Sequence, residues 1–394
     1  ELDYYYPTND LVTGPDIIFF WVARMIMAGY EFEGKRPFEN VYFTGIIRDK
    51  LGRKMSKSLG NSPDPIELIE KYSADGVRLG LLMTAPAGND IPFDDAICEQ
   101  GRNFTNKIWN ALRLIKGWKV EDKKQPEVNA KVIEWLNQRI SKEAIEIEDH
   151  YSKYRLNDAA MNLYKLVWDE FCSWYLEAIK PTYGDSIDRK TYDDTLDALE
   201  KLMIMLHPMM PFITEEVYHS LRERAEGDCA IVASWPKAEK FDAQSISDFE
   251  IVKQVITEVR AVRAQKNLSP KERLGLNQKG KKGSYASYEL IISKLANVEL
   301  TYSESTSGPA ASFIIGTVEF AIPLEGMIDA SAEISKLEEE LKYQEGFLNS
   351  VIKKLSNERF VNGAPEQVVA AEQKKRDDAT SRISSIKEQL AALK

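Results

Sequence analysis

The chain has 394 residues, and at roughly 150 residues per domain this length predicts two or three domains. Its composition, 43% hydrophobic and 29% charged, excludes disordered, collagen-like and disulfide-scaffold proteins. The net charge of −10 speaks against a protein that coats nucleic acid indiscriminately, although a local patch of Lys and Arg could still bind one specifically.

Three further observations concern where the protein acts. No run of about 18 apolar residues occurs, so we expect a soluble protein without membrane association. Three scattered cysteines without a CxxC pair and only three histidines predict neither a metal site nor a disulfide framework, and they fit a cytoplasmic location. The chain opens on Glu1 with neither an initiator Met nor an apolar leader, so we interpret it as a piece of a longer protein.

Residues 1–93 show an α/β pattern. An apolar strand at 10–13 leads into a long apolar helix, for which Pro15 suits the first position and Gly29 the end. A second strand at 41–46 has the β-branched and aromatic content of a buried parallel strand. A parallel sheet with a connecting helix is therefore predicted.

Residues 94–229 show an all-helical pattern. Between Met161 and Ala178 apolar residues recur at spacings of three and four, which is one wide helical stripe. A bundle of about five helices is the economical arrangement. The clearest predicted helices cover 130–151, 155–179, 190–206 and 213–224.

The remaining chain divides into a linker at 230–248, a small α+β unit at 249–329 and a helical segment at 330–394. In the α+β unit we predict helices near 249–265 and 286–296, strands near 298–303 and 312–323, and a basic loop at 271–282. In the last segment, two apolar repeats flank the helix-breaking turn 362–365, which predicts an antiparallel coiled-coil hairpin of about 40 Å.

The strongest chemical signal is the loop Lys54-Met55-Ser56-Lys57-Ser58, which has glycines on both sides and follows a predicted buried strand. Ligands bind open α/β sheets at such strand ends. Two ammonium groups and two hydroxyls can close over a triphosphate and stabilise the charge that develops on a transferring phosphate. The alternative is an ordinary solvated basic loop.

This loop matches the KMSKS motif, and the sequence resembles the C-terminal half of the class I aminoacyl-tRNA synthetases. The valine-specific family among them is the most similar, because of the helix that contains Asp16 to Met25 and the terminal hairpin. The stretches Arg102 to Ala111 and Leu206 to Glu216 also match, so that the resemblance covers the whole chain.

The resemblance implies four parts: the second half of a Rossmann-like catalytic domain, an all-α anticodon-binding bundle, a small α+β domain and a coiled-coil tRNA-binding arm. It implies ATP-dependent activation of valine to valyl-adenylate and transfer to tRNA(Val), with ATP as a substrate that is accompanied by Mg²⁺. We expect the parent protein to be a monomer with valine, ATP and tRNA(Val) as its partners.

The resemblance also implies roles for individual residues. Lys54 and Lys57 would be catalytic, Gly14 and Asp16 would hold the adenylate ribose, and Trp21 would line the valine pocket, although a Trp in an apolar helix is more often core. The ATP-binding residues would be Gly14, Asp16, Lys54, Met55, Ser56, Lys57 and Ser58.

The first helix of the bundle would contact tRNA, because Asn, Lys and aromatic side chains on adjacent turns can hydrogen-bond and stack on splayed bases. Core packing is the alternative for its two aromatic residues. The lysines and arginines near the hairpin tip could touch phosphates, or could be solvated flanks of the coiled coil. The candidate tRNA-binding residues of the bundle are Arg102, Asn103, Phe104, Asn106, Lys107 and Trp109.

The family's His-x-Gly-His element and its inserted editing domain are not found in this sequence. We therefore expect this chain alone to bind tRNA but neither to activate valine nor to proofread. Two alternatives stay open, namely a sibling specificity for isoleucine or leucine and a stand-alone tRNA-binding module.

Overall fold

The computed structural model describes residues 2–85, 88–237, 240–304, 308–324, 330–357 and 366–393. It divides the chain into two compact units, Glu1–Ser247 and Asp248–Lys394. In the described ranges, no helix combines the length and the apolar character needed to cross a membrane.

The first unit begins with α1 (Leu2–Tyr5) and the strands β1 (Thr8–Thr13) and β2 (Phe38–Phe43). These strands pair in parallel, as predicted for the two apolar runs, with Leu11 opposite Val41. Their connection contains a 3-10 turn, a π-helical stretch (Ile18–Val22) and α2 (Ala23–Glu33).

The prediction that Gly29 ends the connecting helix is wrong. The helix ends at Gly34, whose φ of +66° is the left-handed conformation that favours glycine. Gly29 is instead a buried contact, because a Cβ there would lie 2.5 Å from the Tyr6 hydroxyl and 3.1 Å from the Lys35 carbonyl oxygen. A glycine can mark close packing as well as a helix end.

Two short strands, β3 (Ile47–Arg48) and β4 (Ile91–Pro92), also pair in parallel. Between them lie α3 (Pro65–Tyr72) and α4 (Ala74–Thr84), and α5 (Asp95–Lys116) follows. Helices α4 and α5 cross with their backbones almost in contact. A Cβ on Gly101 would lie 2.1 Å from the Gly76 carbonyl oxygen, and one on Gly80 would lie 2.3 Å from the Ile97 carbonyl oxygen.

The rest of the first unit is a helical bundle with a buried aromatic and aliphatic core that includes Trp135, Phe171 and Tyr175. The predicted helix at 155–179 is continuous but contains a π-helical stretch at Leu166–Tyr175. Short strands β5 (Lys119–Glu121) and β6 (Ser186–Asp188) pair in parallel. The helices that follow α5 are α6 (Glu127–Ser152), α7 (Leu156–Lys165), α8 (Leu176–Ile179), α9 (Arg189–Leu206) and α10 (Pro211–Leu221).

The second unit contains a four-stranded sheet in the order β8-β7-β10-β9. Strands β7 and β8 are parallel and the other neighbours are antiparallel. Two predictions are corrected: the basic loop at 271–282 contains β7, and the strand predicted at 312–323 is two strands that turn at Gly316. The elements are α11 (Ala243–Gln265), β7 (Leu274–Gln278), α12 (Glu289–Ala296), β8 (Val298–Tyr302), β9 (Ala310–Ile315) and β10 (Val318–Pro323).

The last two helices, α13 (Ala330–Leu355) and α14 (Glu366–Leu393), pack against each other. Leu341 contacts the buried Ile386 and Leu390. The ion pairs Glu340–Arg382 (2.7 Å), Glu345–Lys387 (2.9 Å) and Lys354–Glu372 (3.0 Å) also join them. The turn predicted at 362–365 lies outside the described residues.

Candidate nucleotide and RNA sites

The KMSKS loop begins at the carboxyl end of β3. Backbone bonds form a tight turn at its base, from the Asp49 amide to the Arg53 carbonyl (3.0 Å) and from the Gly52 amide to the Asp49 carbonyl (2.8 Å). Gly52 has a φ of +75°, which explains a glycine at this position. The five-residue motif therefore starts from a folded base next to a parallel strand end.

The motif residues have different environments. Lys54 and Ser58 are exposed, whereas Met55 packs against the buried cluster of Tyr72, Phe93 and Cys98. The Ser56 hydroxyl accepts a hydrogen bond from the Leu59 amide (3.2 Å) and lies 3.1 Å from the Ser58 hydroxyl. Lys57 begins a short 3-10 turn, and its side chain lies outside the described part of the molecule. Met55 thus anchors the loop to the protein interior.

A buried carboxylate organises the base of the loop. Asp49 accepts hydrogen bonds from the Leu51 amide (3.0 Å), the Arg53 amide (2.8 Å) and the Arg53 Nε (2.7 Å). It also accepts one from the Asn61 side-chain amide (3.0 Å). The Asn61 bond and the bonds from Arg53 lower the pKa of Asp49 well below its usual range, so that it is ionised at neutral pH.

Gly14 and Asp16 follow the carboxyl end of β1. The φ of Gly14 is −81°, and a Cβ there would meet only the Ile46 Cδ1 at 3.9 Å, so the fold does not itself require glycine. Ile46 directly precedes β3, and this contact brings Gly14 close to the segment that leads into the loop. Asp16 is exposed, and Trp21 lies in the π-helical stretch with 44% of its surface exposed.

Helix α5 presents some of the predicted tRNA-binding residues to solvent. Asn103, Asn106 and Trp109 are exposed at spacings of three residues, so that they share one face. Lys107 is half-buried, with its Nζ 5.2 Å from the centre of the Trp168 ring. The Arg102 guanidinium leans over the Tyr72 ring at 5.8 Å.

Phe104 is a correction to the predicted set. Its side chain is fully buried, and its ring packs against those of Tyr164 (4.7 Å between centroids) and Trp168 (6.2 Å). A ring without exposed surface cannot stack on a base, so Phe104 belongs to the core of the bundle.

Hydrogen bonds that the sequence did not predict join α4 to the start of α10. The buried Asp75 accepts hydrogen bonds from the Phe212 (3.3 Å) and Ile213 (2.6 Å) amides, and burial raises its pKa. The Arg78 Nε donates to the Met209 carbonyl (3.2 Å). Asp75 caps a helix distant in sequence, and no local pattern predicts such a cap. The buried His207 shares a hydrogen bond with the Thr214 hydroxyl (2.8 Å), which gives it a structural role in the same region.

One group of possible metal ligands occurs among the described residues, formed by Glu215, His219 and Cys229 with ligand atoms within 4.8 Å of one another. The sequence did not predict it. The Glu215 carboxylate already accepts hydrogen bonds from the Ala230 amide (3.0 Å) and pairs with His219 (2.9 Å), and these bonds explain why the three side chains are close.

Comparison with known proteins connects these sites. Residues 1–94 match the family model for tRNA synthetases class I (I, L, M and V), residues 134–278 match the anticodon-binding domain of tRNA ligase, and residues 329–394 match the valyl tRNA synthetase tRNA binding arm. The valine–tRNA ligase of Bacteroides thetaiotaomicron is 57% identical over 398 residues, and that of Parabacteroides distasonis is 55% identical over 395 residues. This chain belongs to the valyl-tRNA synthetase family.

Both relatives match 100% of this chain, and the chain spans 45% of the length of each of these valyl-tRNA synthetases. Among solved structures, the LeuRS of Agrobacterium radiobacter K84, in a ternary complex with tRNA and LeuAMS, has a TM-score of 0.46 and 17% identity. That alignment covers 61% of this chain and 29% of the LeuRS chain.

Proposed function

We propose that this chain is the part of a valine–tRNA ligase that supplies the KMSKS loop, the anticodon-binding helices and the tRNA-binding arm. The complete enzyme would activate valine with ATP and then transfer the valyl group to tRNA(Val). The observation that carries the proposal is the position of the loop, which follows the carboxyl end of the parallel strand β3 and exposes Lys54. Ligands of open α/β sheets bind at such strand ends.

In the first step the carboxylate of valine attacks the α-phosphate of ATP, which enters as its Mg²⁺ complex, and pyrophosphate leaves. Negative charge on the phosphate oxygens is then the main quantity to stabilise. Lys54 and Lys57 would donate N–H groups to these oxygens, and the Ser56 and Ser58 hydroxyls would add further donors. Met55 would hold the loop by its contact with the interior.

Two observations support a nucleotide at the end of β1. Gly14 has neither a positive φ nor a crowded Cβ position, so a close-lying ligand is the remaining reason for a glycine. The Asp16 carboxylate is exposed two residues later and can accept hydrogen bonds from two ribose hydroxyls. The half-exposed Trp21 would form an apolar wall for the side chain of valine.

For tRNA we propose the outward face of α5, with Asn103, Asn106 and Trp109, as an anticodon-reading surface. Lys107 and Arg102 flank that face. We propose that α13 and α14 form a coiled-coil arm for the body of the tRNA. The proposed domains are 1–93 (catalytic), 94–229 (anticodon-binding), 230–248 (linker), 249–329 (small α+β) and 330–394 (arm).

The experiment is Lys57→Ala in the full-length ligase that carries this sequence. We expect the rate of valine-dependent ATP–pyrophosphate exchange to fall about 100-fold, as for loss of one transition-state donor, with the KM for valine changed less than about threefold. The matched control is Lys50→Ala, an exposed lysine of the same loop whose Nζ pairs with Asp94 at 3.1 Å. Equal losses in both variants, or a full-length protein without valine-dependent exchange, would contradict the proposal.

A further inference from the structure

Asn61 is the residue that closes the KMSKS loop on itself. Its Oδ1 accepts a hydrogen bond from the Ser56 amide (2.9 Å), and its Nδ2 donates to the Lys54 carbonyl oxygen (3.2 Å). The same Nδ2 donates to Asp49 Oδ2 (3.0 Å). One side chain therefore holds two backbone groups of the motif and ties both to the base of the loop.

Asp49 is the fixed point of this arrangement. It is buried, with 8% of its surface exposed, and its two oxygens receive four hydrogen bonds from Leu51, Arg53 and Asn61. Because these donors already orient the carboxylate, Asn61 contacts a rigid partner.

The chemistry of this position suits asparagine and not its close relatives. The contacts require one acceptor and two donors on a short side chain, which is what a carboxamide offers. Aspartate would keep the acceptor for the Ser56 amide, but it would set a second carboxylate against Asp49. Alanine would leave the Ser56 amide and the Lys54 carbonyl without their partner.

We propose that Asn61, oriented by Asp49, is a positioning residue that holds residues 54–58 in the conformation that presents the lysines to the triphosphate. This inference rests on the proposed function of the loop. Because the Asn61 side chain bonds the motif backbone at Ser56 and Lys54, its loss should lower the rate of adenylate formation without weakening the binding of valine. Donors that are held in place before the reaction stabilise the transition state more than the bound substrate, so their loss lowers the rate and leaves substrate binding unchanged.

The first test measures the loop itself and requires no activity. In Asn61→Ala, hydrogen exchange of the Ser56 amide should accelerate about tenfold, as expected for loss of a bond of about 1.4 kcal/mol, while the bundle amides keep their rates. Leu51→Ala is the matched control, because this loop side chain is 76% exposed. Unchanged exchange at Ser56 would overturn the proposal.

The second test measures the reaction in the full-length ligase. Asn61→Ala should lower the adenylation rate about 10- to 100-fold, with the KM for valine within about twofold of the wild type. Faster exchange at Ser56 together with an unchanged adenylation rate would overturn the positioning role. If Lys57→Ala had no effect while Asn61→Ala still accelerated exchange, the proposed function would fail and the hydrogen-bond network would stand.

A third variant separates the role of the contact from a general loss of folding. The single substitution Asn61→Asp should be as slow as Asn61→Ala, because two carboxylates then face each other. The double substitution D49N/N61D places a donor opposite an acceptor at this contact, and it also removes the acceptor that Asp49 offers to the Arg53 Nε. We therefore expect partial recovery, with a rate at least about threefold above that of Asn61→Asp. A double variant no faster than Asn61→Asp would overturn the direct contact between the two side chains.

Discussion

Within the part of the chain that the structure describes, two apolar helical segments contain a π-helical stretch, and they differ in what covers them. In the segment at Leu166–Tyr175, Phe171 and Tyr175 are fully buried within the bundle. In the segment at Ile18–Val22, Phe19 and Phe20 are 76% and 65% exposed. Local sequence and backbone geometry are similar, so the difference lies in the availability of packing partners.

The segment around Phe171 finds its packing partners within this chain, whereas the face around Phe20 does not. The exposed apolar side chains continue into α2, where Met27 and Phe32 are also exposed. Large apolar side chains exposed in such number along one helical segment are typical of a face that another polypeptide covers. Its partner would lie in the part of the relatives' length that this chain does not span.

The largest expected effect concerns the covered segment. Phe171→Ala should lower the free energy of unfolding by about 3–5 kcal/mol, because it removes a fully buried ring and leaves a cavity. The matched Phe20→Ala should change this free energy by less than about 0.5 kcal/mol in the same chain. Tryptophan fluorescence during urea unfolding measures both, since all seven tryptophans lie in the first unit. Equal effects would erase the distinction between the two segments.

An intermediate effect on the free energy of unfolding is expected for the segment at Ile18–Val22 when another part of the full-length protein covers it. In the full-length ligase, Phe20→Ser should destabilise the protein by about 2–3 kcal/mol, the value for an apolar ring that becomes buried. The apolar dye 1-anilinonaphthalene-8-sulfonate should bind this chain and bind the full-length ligase less. A full-length protein that tolerates Phe20→Ser as well as this chain does would show that the face stays exposed.

The smallest effect concerns the outward face of α5. Because the helices from α5 to α10 form their own buried core, we expect this chain alone to bind tRNA(Val), and Asn106→Ala should weaken binding about fivefold, near 1 kcal/mol. Filter binding at fixed salt, with tRNA(Val) and with a variant of changed anticodon, measures it. If Asn106 contacts the anticodon, the substitution and the anticodon change will not be additive. Additive losses would assign Asn106 to nonspecific binding.

Much of this fold follows from local sequence patterns. The parallel pairing of β1 with β2 and the helices of the bundle agree with the predicted periods, since each element carries its own apolar pattern. The incorrect predictions concern positions whose structure depends on contacts with residues that are distant in the sequence. Gly29 is small because of Tyr6, and the basic loop at 271–282 becomes a strand because β8 and β10 pair with it.

The candidate site shows the same division. The motif is visible in sequence, whereas its anchors are not, because the burial of Met55 depends on Tyr72, Phe93 and Cys98, which lie elsewhere in the chain. The helical position of Phe104 fits a core side chain as well as an RNA-facing one, and only the packing of Tyr164 and Trp168 distinguishes them. Residue roles in the site remain predictions.

The glycine-lined crossing of α4 and α5 has a mechanical consequence. With Gly76, Gly80 and Gly101 at the crossing, no flexible side chain separates the two backbones. We therefore expect the two helices to resist sliding and bending and to move as one rigid body. Met55 packs against the buried cluster that includes Cys98, near the amino end of α5, and Asn106 is exposed farther along the same helix. If the outward face of α5 and the loop at 54–58 act as proposed, a tRNA bound to that face would load the loop through this rigid helix pair.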